Sequence, residues 1–213
     1  MALESFIPIR EPDDPTALRW MLFVDGENFT IRAQAVAKAR GYALKEGPYW
    51  RPDIFVWIPD WPATQGFRFS DISAIGVRRY ATRAYFYTSA RGDPPTLREI
   101  RDDLWTLGFT PYVFQRTGDR KSKGVDIALT KDVLSHAFLS NYDAAVLIAG
   151  DGDYVPLIEE VKRLGKLVFV LFFREPDAGL SDELRLAADN FIDLSDVFFE
   201  KWTTLEGAGG PLL

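Results

Sequence analysis

Six short apolar runs, each ending in turn-forming residues, set the strongest limit on how this chain can fold. They are WMLFV (20–24), RAYFYTS (83–89), PYVFQR (111–116), AAVLIAG (144–150), KLVFVLFF (166–173) and NFIDL (190–194). Runs this short, rich in β-branched and aromatic residues, read as buried strands. Helical patterns lie between them. FTIRAQAVAKAR precedes Gly41, while TLREIRDDLWTLG and YVPLIEEVKRLG close on their own glycines, as a left-handed cap requires. Strands that alternate with helices specify a mainly parallel sheet covered on both faces. The expected fold is therefore a doubly wound α/β domain.

At 213 residues the chain is long enough for one sizeable core. We expect an N-terminal extension at 1–18, a single domain at 19–203 and a flexible tail at 204–213. The start, MALESFIPIREPDD, has neither the basic residues nor the apolar stretch of a secretory signal. No segment approaches the ~18 apolar residues of a membrane span. The expectation is a cytoplasmic protein with no membrane partner, and a homodimer is left open. The absence of cysteine excludes thiolate zinc sites, and a single histidine, His136, excludes a histidine acid paired with a histidine base. A net charge of −6 argues against coating nucleic acid by electrostatics alone. It leaves a nuclease open, because carboxylates that hold divalent cations are neutralised locally.

Residues 42–82 interrupt the pattern. A connection of this length is usually functional or disordered, but Tyr49, Trp50, Phe55, Trp57, Trp61, Phe67 and Phe69 are too many aromatics for disorder. Two readings stand: a folded insertion that buries its own aromatics, or a base-stacking platform beside the site.

Two of the strand candidates carry carboxylates at their ends, where open parallel sheets bind ligands. Asp25 follows WMLFV, and Asp151 and Asp153 follow AAVLIAG, with glycines 26, 150 and 152 letting the backbone turn tightly. Asp153 could equally cap the helix that begins near Tyr154, and Asn28 the helix that follows it. Asp25 and Asp151 are harder to read as caps, because neither immediately precedes a helix pattern. A fourth acid, Asp126, lies in GVDIALTKDVLSHAFL. Stepping ~100° per residue puts Ile127, Leu129, Val133, Leu134 and Ala137 on one face, with Asp126 in the middle of that arc. Asp132, with Lys131 and Ser135, falls on the expected solvent side. A carboxylate aimed at a core requires an ion pair or a cation.

Carboxylates without histidine or cysteine make a hard oxygen site that selects Mg²⁺ or Mn²⁺. Such ions activate water and stabilise the leaving oxygen of a phosphodiester. The loop RTGDRKSKG (116–124) adds Arg116, Arg120, Lys121 and Lys123. It is either a solvated loop or a grip on substrate phosphates, with Arg120, Lys121 and Lys123 as the candidate contacts.

Taken together, VDGEN, KGVDIAL, VLIAGDGDYVPLIEEVKRLGK and LSDELRLAADNFIDL resemble the NYN domain, in its LabA-like bacterial branch, within the PIN-like nuclease superfamily. The resemblance runs from about Arg19 to Leu194 and omits the aromatic insertion. It implies a three-layer α/β/α fold that cuts RNA at an acidic Mg²⁺ or Mn²⁺ site. It assigns catalysis and metal ligation to Asp25, Asp126, Asp151 and Asp153, with Asn28 supporting the first carboxylate or touching substrate. A haloacid-dehalogenase-like phosphatase would need an aspartate where Glu27 stands, and a Rossmann enzyme would need a glycine fingerprint that the first turn lacks. The serious alternative is an RNA-binding or regulatory module without turnover.

Overall fold

The structure, a computed structural model, describes residues 17–42, 49–57, 81–116, 123–176, 178–196 and 198–199. All six expected strands are present: β1 (Trp20–Asp25), β4 (Arg83–Ala90), β5 (Thr110–Gln115), β6 (Ala144–Ile148), β7 (Leu167–Phe172) and β8 (Asn190–Asp193). They form one parallel sheet in the order β5-β4-β1-β6-β7-β8. The chain builds outward from β1 through β4 to β5, then returns to the other flank of β1 and builds through β6 and β7 to β8. The order therefore reverses between β1 and β6, and a crevice opens beyond the carboxyl ends of strands at such a point.

The sheet is covered on both faces. On one face lie α1 (Gly26–Ala39) and α2 (Pro94–Thr106), and on the other α3 (Lys123–Phe138), α4 (Val155–Arg163) and α5 (Asp182–Ala187). Each helix follows from its sequence. Asp93 caps α2 by accepting from Thr96 N at 3.0 Å, two prolines fill the first turn, and Leu97, Ile100 and Leu104 form the buried stripe. The helix-closing glycines lie where expected, each with positive φ.

Alternation along β1 sends Trp20, Leu22 and Val24 towards α1 and α2, and Met21 and Phe23 towards α3 and α4. Asp25 continues the second row. Two of the turn glycines are fixed by close packing. A Cβ on Gly26 would stand 2.0 Å from the Phe86 ring, and one on Gly150 would stand 2.3 Å from the Phe172 ring. Both acid-bearing strands thus end in a glycine pressed under an aromatic of the neighbouring strand.

Within the insertion, β2 (Trp50–Arg51) and β3 (Phe55–Val56) pair as a small antiparallel ribbon against α1. Phe55 and Trp57 are buried in the main core on the α1 face, where Trp57 meets Phe109 edge-on at 4.8 Å. These aromatics are therefore core of the domain itself, on the sheet face away from Asp25. Trp61, Phe67 and Phe69 lie outside the described residues.

Candidate functional site

Asp25 and Asp151 are the helix caps, a correction to the reading that neither is placed to cap, and the alternative of Asn28 and Asp153 as caps falls away. Asp25 Oδ1 accepts from Asn28 N at 3.0 Å at the start of α1. Asp151 Oδ1 accepts from Asp153 N at 3.1 Å and opens a single 3-10 turn, Gly152–Tyr154, ahead of α4. The glycine after each acid is the first helical residue, so α1 begins three residues before its apolar pattern at Phe29 and the 3-10 turn begins two residues before the pattern at Tyr154. Asn28 lies inside α1, where its Oδ1 accepts from Gly150 N at 3.1 Å. It ties the β1 turn to the β6 turn across the switch point.

Asp126 also requires correction. It is exposed, as is Ile127 at 67%. The buried face of α3 is centred near Leu129, with Val133 and Ala137 on one side and Val125 and Asp132 on the other. On a helical wheel Asp126 lies about 60° from Leu129, between Val133 and Ala137, so its angle is that of the buried face. It is exposed because it stands in the first turn, at the end of the helix, where that face opens on a cleft. The acid of α3 that is buried is Asp132, expected at the solvent side, and Tyr87 donates to its Oδ2 at 3.1 Å.

The cleft has a volume of about 390 Å³ and is lined by Asp126, Ile127, Thr130, Lys131, Asp151, Asp153 and Tyr154. Three of the four expected acids thus border one space. Asp25, 3% exposed, sits behind it and is joined to it by Tyr154, whose hydroxyl lies 3.0 Å from Asp25 Oδ2 and 3.2 Å from Asp126 Oδ1. Burial, and the two carboxylates after it, push the Tyr154 hydroxyl pKa far up, so it stays a proton donor. Of the expected phosphate contacts, Arg120 and Lys121 lie outside the described residues, as does the side chain of Lys123.

Several residues beyond those expected join this edge of the sheet. Glu27, 4% exposed, accepts from Ser89 Oγ at 2.9 Å and pairs with Arg116 at 3.2 Å, while Arg116 Nε donates to Ser89 Oγ at 3.0 Å. This network braces the ends of β4 and β5 against the start of α1. Arg116 was visible only as part of a basic loop, and Glu27 only as the residue that spoils a phosphatase motif. Tyr154 had a signal in sequence: a tyrosine directly after an acid-rich turn at a strand end.

The donors suit a hard cation, since all are carboxylate oxygens, and a hydroxyl lies between two of them. Among the described residues, however, no group of three or more His, Asp or Glu side chains converges closely enough to hold a metal ion. The geometry provides an acid-lined cleft rather than a closed coordination shell.

A parallel six-stranded sheet between helical layers, with acids at its switch point, defines a nuclease-like module of the PIN-like α/β/α class. The chain belongs to the NYN domain family, whose model matches residues 19–195. Low amplitude and bright protein LabA of Synechococcus elongatus is 33% identical over 129 residues, which make up 55% of this chain and 66% of that protein. The chain thus spans just under two thirds of that relative's length and is LabA-like. A crystal structure of a protein of unknown function from Vibrio parahaemolyticus shares the fold, with a TM-score of 0.53 and 20% identity over 88% of this chain and 99% of that one. Among the described residues no helix is long and apolar enough to cross a membrane.

Proposed function

We propose that this protein is a metal-dependent ribonuclease that hydrolyses RNA phosphodiester bonds in the cleft at the switch point. One observation carries the reading: Asp25 from β1 and Asp126 from α3 meet at a single hydroxyl, beside a cleft that Asp126, Asp151 and Asp153 line. Membership of the NYN family supports it. The residues that would hold Mg²⁺ or Mn²⁺ are Asp25, Asp126, Asp151 and Asp153, and the bound ion would supply an activated water and charge stabilisation at the scissile phosphate.

The remaining roles belong to the protein's own groups. Asn28 fixes the two acid-bearing turns relative to each other through Gly150 N. Lys131 lines the cleft with its side chain 67% exposed and 3.4 Å from Asp132, which leaves it within reach of a phosphate. Arg120 and Lys121, a few residues ahead of α3, and Lys123, its first residue, would add charge. RNA is the expected partner.

A second reading is RNA binding without turnover, and it draws on the open arrangement of the acids among the described residues. One experiment separates the two. Purified protein is incubated with single-stranded and structured RNA, with and without Mg²⁺ or Mn²⁺, beside Asp25→Asn and Asp151→Asn. Cleavage that needs the ion and falls at least ~10³-fold in both variants, about 4 kcal/mol of transition-state stabilisation, is the expected result. Equal cleavage by all three proteins removes the site assignment. Retention of RNA without cleavage under any metal selects the second reading.

A further inference from the structure

We infer that Tyr154 is a positioning residue of the cleft, whose hydroxyl holds the first turn of α3, and with it Asp126, in place against Asp25. The inference deepens the nuclease reading and rests on it for its purpose. The hold itself can be measured without any metal.

Asp126 has little else to place it. It is exposed, and it lies in the first turn of a helix whose preceding residues, 117–122, are outside the described ones. The apolar anchor nearest to it, Val125, points into the core beneath. Tyr154 is situated differently. It is 3% exposed and belongs to the core cluster under α3 and α4. It is the last residue of the 3-10 turn and the cap position of α4, so its backbone is held on both sides. A hydroxyl on so rigid a mount is a fixed post. From it, the distances to Asp25 and Asp126 limit how far apart those two carboxylates can be.

The post is also underfilled. A phenol carries one proton, yet two carboxylate oxygens lie within hydrogen-bond distance of it. It donates to one at a time, and the other faces it oxygen to oxygen. Such an array gains from positive charge, as hydrogen-bond partners behind metal ligands commonly do by orienting the ligand and raising its basicity.

Tyr154→Phe keeps the ring and deletes the post. Tyr142→Phe is the matched control, because that hydroxyl is equally buried and donates to Val133 O at 3.0 Å, on the same helix but away from the cleft. In metal-free protein we expect hydrogen exchange at the Ile127 and Ala128 amides to rise about tenfold in Tyr154→Phe and to stay at the wild-type rate in Tyr142→Phe. Titration with Mn²⁺ should then give affinity 10- to 100-fold weaker in Tyr154→Phe, on the order seen when such partners are removed, and unchanged in Tyr142→Phe. Unaltered exchange in Tyr154→Phe overturns the inference, as does wild-type Mn²⁺ affinity in that variant. Wild-type protein that takes up no Mn²⁺ removes the nuclease reading instead, and the exchange arm still decides whether Tyr154 holds Asp126.

Discussion

The two faces of the sheet are built from different aromatic residues. Under α1 and α2 the large side chains are Phe29, Trp57, Phe86, Phe109, Phe172 and Phe173, joined by Phe198 and Phe199, all buried. Under α3 and α4 they are, apart from Phe23, the tyrosines Tyr85, Tyr87, Tyr142 and Tyr154, with Tyr112 and His136 beside them. A phenyl ring asks nothing of its surroundings except contact. A buried tyrosine needs an acceptor, and on this face the acceptors are Asp132, the Val133 carbonyl, Asp25 and Asp126. The backbone alternates identically towards both faces, so the difference lies wholly in the side chains. One face is mainly apolar, with Thr88 donating to the Ile54 carbonyl, and the other holds more polar groups because its tyrosine hydroxyls have partners. The acids of the cleft lie on the second face.

If stability resides mainly in the phenyl face, Phe29→Ala should carry the largest effect. Phe29 is fully buried and stacks on Phe173 at 5.3 Å, with Phe198 edge-on at 5.5 Å. We expect a loss of about 3–5 kcal/mol in urea unfolding, while RNA affinity of the folded fraction is retained. A loss below about 1 kcal/mol would break the division between the faces.

Tyr87→Phe should cost less, about 1–2 kcal/mol, by taking a hydrogen bond from the buried Asp132 and leaving the ring stacked on Tyr112 at 4.9 Å. A cost equal to that of Phe29→Ala would mean that the hydroxyl face is as much a structural core as the other.

The smallest effect is a pH dependence at His136. Asn141 Nδ2 lies 2.9 Å from its Nδ1 and Tyr85 Oη 2.9 Å from its Nε2, so with the amide donating, Nδ1 accepts and Nε2 carries the proton. Protonating Nδ1 would set two donors against each other. Burial lowers the pKa below 6.5, Asp132 partly opposes this, and Arg83 adds to it. The folded state therefore binds this proton less well than the unfolded chain. Stability should be full above about pH 7 and should decline as pH falls through 6.5 towards the folded value. The urea midpoint of the wild type should drop between about pH 7 and about pH 5.5, and that of His136→Gln should be flatter. Parallel curves for the two proteins would remove His136 as the source.

The strands were legible in sequence because each is a short apolar run in a sheet covered on both faces, where burial leaves nearly every position apolar. The strand-end acids were legible for the same reason, since Asp25 and Asp151 break that apolarity abruptly. The caps were not, because a helix can begin at the glycine directly after a strand without any change in hydrophobic period. Asp126 shares the wheel angle of the buried Val133 and Ala137, but a wheel does not tell where along a helix the packing ends, and in the first turn that face opens on the cleft. The Glu27–Ser89–Arg116 network joins three segments far apart in the chain, and no local pattern encodes such a meeting. The base-stacking role considered for the aromatics of the insertion does not apply to Phe55 and Trp57, whose destination depends on a sheet face that sequence cannot specify.

The bond from Gly150 N to Asn28 Oδ1 has a counterpart at the other end of the same seam, where Asp143 takes Arg19 N at 2.8 Å and its guanidinium at 2.9 Å. These contacts span 122 and 124 residues. Closing so long a loop carries a large entropic cost, so the joining of β1 to β6 belongs late in the order of assembly. A chain emerging from the ribosome completes β1, β4 and β5 well before β6 exists. Until the seam closes, Asp25 has neither Tyr154 nor Asp151 near it. The cleft is thus timed by topology: its acids come together only after most of the domain has been synthesised and its two halves have docked.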